Sequence, residues 1–465
     1  MENKQRNRIL SVLFIGVLMG ALDIAIVGPA LPAIRAQYAV SERALSWMFS
    51  IYVLFNLVGT PLMAKLSDLY GRRAIYILDV SLFAIGSLII ALSPAFWVVI
   101  LGRAIQGFGA GGIFPVASAV IGDTFPVEKR GSALGLIGAV FGIAFIIGPI
   151  LGGVILGLAS WKWLFLINLP IALLVIVLSV RLLPATRPAH VEKFDLPGML
   201  VLAGLLASLA YGINQIDTAN FGASLVSLRV LPFLLAFLVL LMVFIQIEKR
   251  AKSPIIPLGM FNRRQISLTN AISSGAGVVE ASLVFLPLLA VAGLGVRESA
   301  ASFMLMPLVL AMAVGSPTAG RFLDKYGSKA VLIVGTSVSA LGTLLLSFFA
   351  ANLVVFYIAT ALIGLGLSAL LGAPIRYIML NEAKASERSV AQGLSNVFIS
   401  VGQLLGSAVV GAMAASAVNP VIGYSNGYRF IGVVGIILVI MTGFLKNRAA
   451  EQQTVQQNQA AAAVN

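Results

Sequence analysis

The sequence predicts an all-α polytopic membrane protein, two six-helix bundles with two further helices inserted between them, and three observations carry that prediction. Of 465 residues, 59% are hydrophobic and only 10% charged, too few polar side chains to cover a water-facing surface of this size. The apolar residues gather in runs of about 20, the length that crosses a hydrocarbon core about 30 Å thick. Motifs near the start of the chain recur near its end at an almost constant offset. A net charge of +14 would ordinarily suggest a polyanionic partner. The Lys and Arg residues form no long run and no basic domain, so no nucleic-acid partner is expected and the charge should report topology.

The first span covers residues 9–31; its length and its Asp23 and Pro29 are unlike a signal peptide, so it reads as a retained helix. Apolar runs at 44–66, 74–93, 97–121, 132–156 and 164–183 complete a first set of six. Two more fall at 197–216 and 229–247, and a second set of six at 266–291, 299–320, 329–350, 352–374, 390–414 and 427–446, fourteen in all. An even number puts both termini on one side. Most of the 31 Lys and Arg residues lie on that side, among them Lys65, Arg72, Arg73, Lys129, Arg130, Lys249 and Arg250, whereas the other side holds Arg35, Arg43, Lys162, Arg229, Arg297 and Arg429. Cytoplasmic loops carry the excess of Lys and Arg, which makes both termini cytoplasmic. The predicted organisation is an N-terminal bundle over 1–190, the inserted pair over 191–262, a C-terminal bundle over 263–448, and a Gln/Ala-rich disordered cytoplasmic tail over 449–465.

The repeat is visible in Ser67-Asp68-Leu69-Tyr70-Gly71-Arg72-Arg73, which returns as Leu323-Asp324-Lys325-Tyr326-Gly327-Ser328-Lys329, an offset of 256. Gly107 pairs with Gly364, Arg130 with Arg388, Gly135 with Gly393 and Gly148 with Gly406, at offsets of 257 or 258. Parallel repeats related by an axis along the membrane normal are a transporter architecture, with the site expected where the halves meet.

An ionised side chain near the bilayer centre costs about 2.5–3.5 kcal/mol on insertion scales, so each one is a functional candidate. Asp23 and Glu280 sit about 14 residues into their spans and differ by 257, the repeat offset. The equivalent positions predict two proton-carrying carboxylates, Asp23 with Arg103 as its cation and Glu280 without one; the bland alternative is polar glue between helices. Proline follows each, at Pro29 and Pro287, where a bend is expected. Asp79 is expected to snorkel or to pair with an arginine at the cytoplasmic helix end, and His190 to be a solvated loop residue. Tyr52, Phe55, Asn56, Gln106, Phe145 and Phe285 are the candidate pocket residues, by stacking and apolar contact. Asp68, Arg72 and Arg73, repeated at Asp324, read as a latch across a tight glycine turn.

Cysteine is absent and His190 is the one histidine, so neither a thiolate nucleophile nor a metal cluster is expected, and the chain does not read as an enzyme. Gly107-Phe108-Gly109-Ala110-Gly111-Gly112 lacks the Lys-Ser/Thr of a phosphate loop. No cofactor is expected; the proton gradient is the expected drive.

These residues together resemble the major facilitator superfamily, and within it the fourteen-helix drug:proton antiporters. Ala64-Lys65-Leu66-Ser67-Asp68-Leu69-Tyr70-Gly71-Arg72-Arg73 is similar to the superfamily's loop 2–3 motif, with Ala64 where its first glycine is expected. Leu101-Gly102-Arg103-Ala104-Ile105-Gln106-Gly107 resembles the fourth-helix motif, and Gly148-Pro149-Ile150-Leu151-Gly152-Gly153 the antiporter motif of the fifth, where Ala144 replaces an upstream glycine. Leu22-Asp23 with Ala30-Leu31-Pro32, Trp161 to Pro170, and Phe194-Asp195-Leu196-Pro197-Gly198 resemble the fourteen-helix branch. The resemblance implies a proton-coupled exporter of lipophilic, often cationic compounds, acting as a monomer in the cell membrane among its lipids. It implies that Arg103 serves proton coupling, that Asp68 with Arg72 and Asp123 holds the cytoplasmic side shut, and that Gly148, Pro149, Gly152 and Gly153 pack the fifth helix on an opposite-half partner. An exporter of an endogenous lipid, siderophore or metabolite by the same mechanism is the alternative.

Overall fold

The computed structural model describes residues 3–185, 195–251, 254–383 and 388–464. His190 and Phe194, singled out in the sequence, lie outside them. The described chain is helical: α1 (Asn3–Tyr38), α2 (Glu42–Tyr70), α3 (Arg72–Ala91), α4 (Phe96–Thr124), α5 (Val127–Leu158), α6 (Trp163–Leu166), α7 (Asn168–Leu182), α8 (Leu196–Asn214), α9 (Phe221–Leu225) and α10 (Leu231–Arg250). There follow α11 (Arg264–Ala281), α12 (Leu286–Leu294), α13 (Glu298–Phe303), α14 (Met306–Tyr326), α15 (Ser328–Phe349), α16 (Leu353–Leu370), α17 (Ala373–Glu382), α18 (Arg388–Ser416), α19 (Pro420–Gly443) and α20 (Arg448–Val464).

Among the described residues, 13 helical stretches are long and apolar enough to cross a membrane, and α5 contributes a shorter apolar stretch, Gly142–Leu158. Helices satisfy every backbone polar group internally, which lipid demands. Hydroxyls follow the same logic by turning back on their own helix, as Thr269 Oγ1 does to Gln265 O at 2.7 Å and Ser273 Oγ to Thr269 O at 2.8 Å. On α10, Leu235, Leu238, Val239 and Met242 are exposed, an arrangement that water would penalise and acyl chains accept.

Several predicted spans are broken. The span placed at 164–183 is interrupted at Ile167, between α6 and α7. The one at 266–291 passes through a 3-10 turn, Ser282–Phe285, before α12. Pro287 explains it: its ring lacks an N–H and crowds the carbonyl four residues back, at Leu283. The matching expectation at Pro29 is not met in the same way, for α1 runs through Pro29 and Pro32 as one helix. The span placed at 352–374 ends at Leu370, and α17 carries the chain on to Glu382.

The chain divides into two compact units. The first comprises Met1–Ser208, Leu235–Ile255 and Arg297–Phe303, the second Leu209–Leu234, Ile256–Val296 and Met304–Asn465. These bounds differ from the predicted 1–190, 191–262 and 263–448: most of α8 and of α10 falls in unit 1, and the connection between them, with the adjoining helix ends, falls in unit 2. Unit 1 is centred on Leu13, Tyr76, Phe83, Val116, Ile121, Ile137 and Val175. The tail expected to be disordered is α20. Its first turns are held by side chains: Glu451 Oε2 accepts from Ser328 N at 3.0 Å, and Arg448 Nη2 donates to Asp324 O at 2.9 Å.

The repeat is carried by backbone geometry. Gly71 and Gly327, 256 apart, turn the chain into α3 and α15 at φ 99° and φ 82°, values at which a Cβ is strained. A Cβ at Gly86 would meet Gly102 O and Gln106 N; one at Gly342 would meet Ala359 O and Ile363 N. The α3–α4 seam and the α15–α16 seam are therefore the same close approach made twice.

Candidate functional site

In unit 1 four helices bring polar side chains to one buried point. Asp23 comes from the middle of α1, Arg103 and Gln106 from successive turns of α4, Ser87 from α3, and Asn168 from the head of α7. Arg103 Nη1 lies 2.6 Å from Asp23 Oδ2 and 2.7 Å from Gln106 Oε1, and Arg103 Nε donates to Met48 O at 3.0 Å. Gln106 Nε2 donates to Asp23 Oδ1 at 2.6 Å and to Ser87 Oγ at 2.8 Å. Asn168 Nδ2 reaches the same two acceptors at 3.5 Å and 3.2 Å. Tyr52 covers the guanidinium, its ring centre 4.1 Å from Arg103 Cζ, which adds a cation–π contact.

Arg103 and Asp23 side chains are 1% and 0% exposed. Taking both charges out of lipid contact and water is expensive, and only their pairing with further hydrogen bonds makes the arrangement tenable. Among the described residues, each hydrogen-bond partner of the Asp23 carboxylate offers it a donor.

Unit 2 repeats the carboxylate, as Glu280, without an equivalent of Arg103. At the repeat offset of 257, Thr360 and Ile363 stand where unit 1 has Arg103 and Gln106, and Thr360 Oγ1 bonds back to Phe356 O at 2.9 Å. Glu280, at the end of α11 just before the 3-10 turn, lies beside the Gln403 side chain of α18. Nearby in this unit Tyr428 donates to Ser282 O at 2.8 Å, and Phe285 stacks against Tyr424 at 6.2 Å.

Of the candidate pocket residues, Tyr52 and Gln106 belong to the Asp23 cluster. Phe55 is exposed, Phe285 is buried in unit 2, and Asn56 and Phe145 are half-buried. Asp79 departs from its expectation: it is fully buried and neither carboxylate oxygen has a hydrogen-bond partner among the described residues. It fills the space that a Cβ on Gly112 would take.

At the α2–α3 turn, Arg72 joins three residues. It pairs with Asp68, donates through Nη1 to Ser67 Oγ at 2.7 Å, and through Nε to Asp123 Oδ2 at 3.1 Å. Arg73 stands apart, with Nη1 3.4 Å from Val180 O. The second copy is built differently: the Asp324 side chain is exposed and forms no ion pair among the described residues, while its backbone oxygen is bound by Arg448. A serine, Ser328, stands where Arg72 does in the first copy.

On α5, a Cβ at Gly148 would collide with Ala25 of α1, at Gly152 with Ser302 Oγ and Pro29, and at Gly153 with Phe303. Ser302 Oγ donates to Pro149 O at 2.8 Å. The motif thus packs α5 on α1 and on α13, a segment late in the chain that belongs to unit 1. Among the described residues, no group of three or more His, Cys, Asp or Glu is placed to hold a metal ion.

Sequence reasoning missed Ser87 and Asn168. Asn168 was legible as one amide in the apolar run Phe165-Leu166-Ile167-Asn168-Leu169, since polar groups inside spans rarely lack a task; Ser87 had no such signal, because hydroxyls commonly bond their own helix.

A repeated bundle of apolar helices with a solvent-shielded ion pair inside one unit defines a multi-pass membrane transporter. The family profile described as Major Facilitator Superfamily matches residues 13–282 and 266–464, and the chain belongs to that family. Among proteins similar to it, "Uncharacterized MFS-type transporter YfiU" of Bacillus subtilis (strain 168) is 34% identical over 87% of this chain and 79% of its own. "Multidrug resistance protein 3" of the same organism is 29% identical over 86% and 78%. A solved bacterial homolog of the human lysosomal transporter Spinster shares the fold, with a TM-score of 0.67 over 98% of this chain and 99% of its own at 16% identity.

Proposed function

We propose that the protein is a proton-coupled exporter of lipophilic, cationic compounds that works as a monomer in the cytoplasmic membrane, with both termini in the cytoplasm. The buried Asp23–Arg103 pair carries this reading. A family of transporters needs no ion pair at such depth for packing alone, since burying it costs more than an apolar substitute would. The name of the Bacillus subtilis relative, a multidrug resistance protein, supports export of drug-like compounds.

In the proposed cycle, substrate arriving from the cytoplasm releases protons from Asp23 or Glu280; the carrier changes the side to which it opens; external protons then displace the substrate. Arg103 stabilises Asp23 between proton losses, and Glu280, with an amide instead of a cation beside it, supplies the second carboxylate. The Asp68–Arg72–Asp123 network latches the cytoplasmic end. The membrane potential contributes about 2.3 kcal/mol per charge per 100 mV, so one net charge per cycle sustains a steep gradient.

The test is uptake of a lipophilic cationic dye into everted membrane vesicles under an imposed pH gradient. Wild type concentrates the dye, and Asp23→Asn and Glu280→Gln lose gradient-driven uptake. Full uptake by both variants would overturn the reading.

A further inference from the structure

The Asp23 cluster has a property that the pair with Arg103 does not explain. Asp23 Oδ1 receives Gln106 Nε2 at 2.6 Å and Asn168 Nδ2 at 3.5 Å, and Oδ2 receives Arg103 Nη1 at 2.6 Å. All are donors. A carboxylate accepts at both oxygens, whereas a carboxylic acid must place its O–H on an acceptor. When Asp23 takes up a proton, none of the three groups bonded to it can receive that hydrogen as they stand, and an unbonded buried hydroxyl is costly.

The three donors are not equally able to adapt. Arg103 has no acceptor atom at all. Gln106 is pinned from both ends: its Oε1 accepts from Arg103 Nη1 at 2.7 Å, while its Nε2 serves Asp23 and Ser87. Turning this amide over would set an NH₂ against a guanidinium. Asn168 is different. It is 1% exposed, and both of its hydrogen bonds run through Nδ2, to Asp23 Oδ1 and to Ser87 Oγ at 3.2 Å. Neither binds its carbonyl end.

We propose that Asn168 is a positioning residue for the proton on Asp23: its amide turns over when the carboxylate is protonated, so that Oδ1 replaces Nδ2 and accepts the acid O–H. The same rotation leaves Ser87 consistent, since its hydroxyl, an acceptor from Asn168 beforehand, donates to Oδ1 afterwards. The place of Asn168 suits the task. It is the first residue of α7, directly after the break at Ile167, so its side chain is presented by a helix end and not from within a continuous helix. The inference rests on the proton-carrying role proposed for Asp23.

Infrared difference spectroscopy between alkaline and acidic buffer, on the full-length protein in lipid nanodiscs, tests it. In wild type, acidification should raise a carboxylic-acid C=O band that disappears in Asp23→Asn. Asn168→Leu removes the acceptor, so the Asp23 band should move to higher wavenumber, as a carbonyl does when its O–H loses its partner. Dye turnover in proteoliposomes should fall about tenfold with KM unchanged, the cost of one hydrogen bond made in only one protonation state. Asn168→Ser, whose hydroxyl accepts as well as donates, should return the band towards its wild-type position and covers the case in which the leucine variant misfolds. An Asp23 band at the wild-type wavenumber in both variants, with unchanged turnover, overturns the role of Asn168 and leaves Asp23 as the proton carrier. A wild-type spectrum with no band that depends on Asp23 overturns the proton-carrying reading itself, and this inference with it.

Discussion

Arg103 and Asp23 meet at 2.6 Å with side chains 1% and 0% exposed, and 80 residues of chain separate them. Removing either partner alone strands a buried charge. Arg103→Leu should destabilise the protein by about 3–5 kcal/mol, and Asp23→Asn/Arg103→Leu should recover a large part of the loss. Thermal unfolding of the purified variants in one detergent measures the coupling; additive losses would mean that the two charges do not depend on each other.

Gly112 and Asp79 form a second dependent pair, of steric origin. A Cβ on Gly112 would collide with the Asp79 carboxylate, which has no hydrogen bond among the described residues to reward its position. Gly112→Ala should cost about 1–3 kcal/mol through overpacking, and Asp79→Ala should relieve it in the double variant. The same unfolding assay reads both.

Glycines on α5 and α18 should respond oppositely to a methyl group. At Gly402 a Cβ would run into Ser274 O of α11, whereas at Gly142 nothing lies within 4 Å. Gly402→Ala should destabilise by about 1–3 kcal/mol or abolish folding. Gly142→Ala should be neutral or stabilise by about 0.5–1 kcal/mol, because alanine loses less backbone entropy in a helix. Expression level and melting temperature of the two variants decide the matter.

Docking of α20 should depend on pH. Burial pushes the Glu451 carboxyl above its ordinary value of 4.5, with Glu382 acting the same way, while the Ser328 hydrogen bond and Lys446 oppose it. A carboxyl raised in the docked state contributes stability that is complete below its ordinary value and is lost as pH rises through the docked one. Amide exchange over Arg448–Gln457, corrected for its intrinsic pH dependence, should be slower near the acid end of that window than at neutral pH. Glu451→Gln should abolish the difference.

Much of this was legible from residue spacing. The shared offset of 256–258 announced the double α3–α4 and α15–α16 seams, and the lone intramembrane Arg103 could have few partners other than Asp23. What escaped depended on contacts that no local pattern records. The Gln/Ala tail is polar enough to pass for disorder, yet Arg448 and Glu451 find the α14–α15 turn and hold the first turns of α20 there. Ser302 and Phe303 lie late in the chain but pack on Gly152 and Gly153, which moves α13 into unit 1. The second turn lacks an Arg72 equivalent, so the repeat of Asp324 suggested a latch of the same chemistry where the structure uses Arg448 on the backbone.

The central claim, that substrate and protons exchange at Asp23, is tested most directly by adding a lipophilic cationic dye to purified protein in weakly buffered detergent solution and recording the pH. Wild type should release protons as dye binds, and Asp23→Asn should release fewer at saturating dye. Equal proton release by wild type and Asp23→Asn would contradict the account.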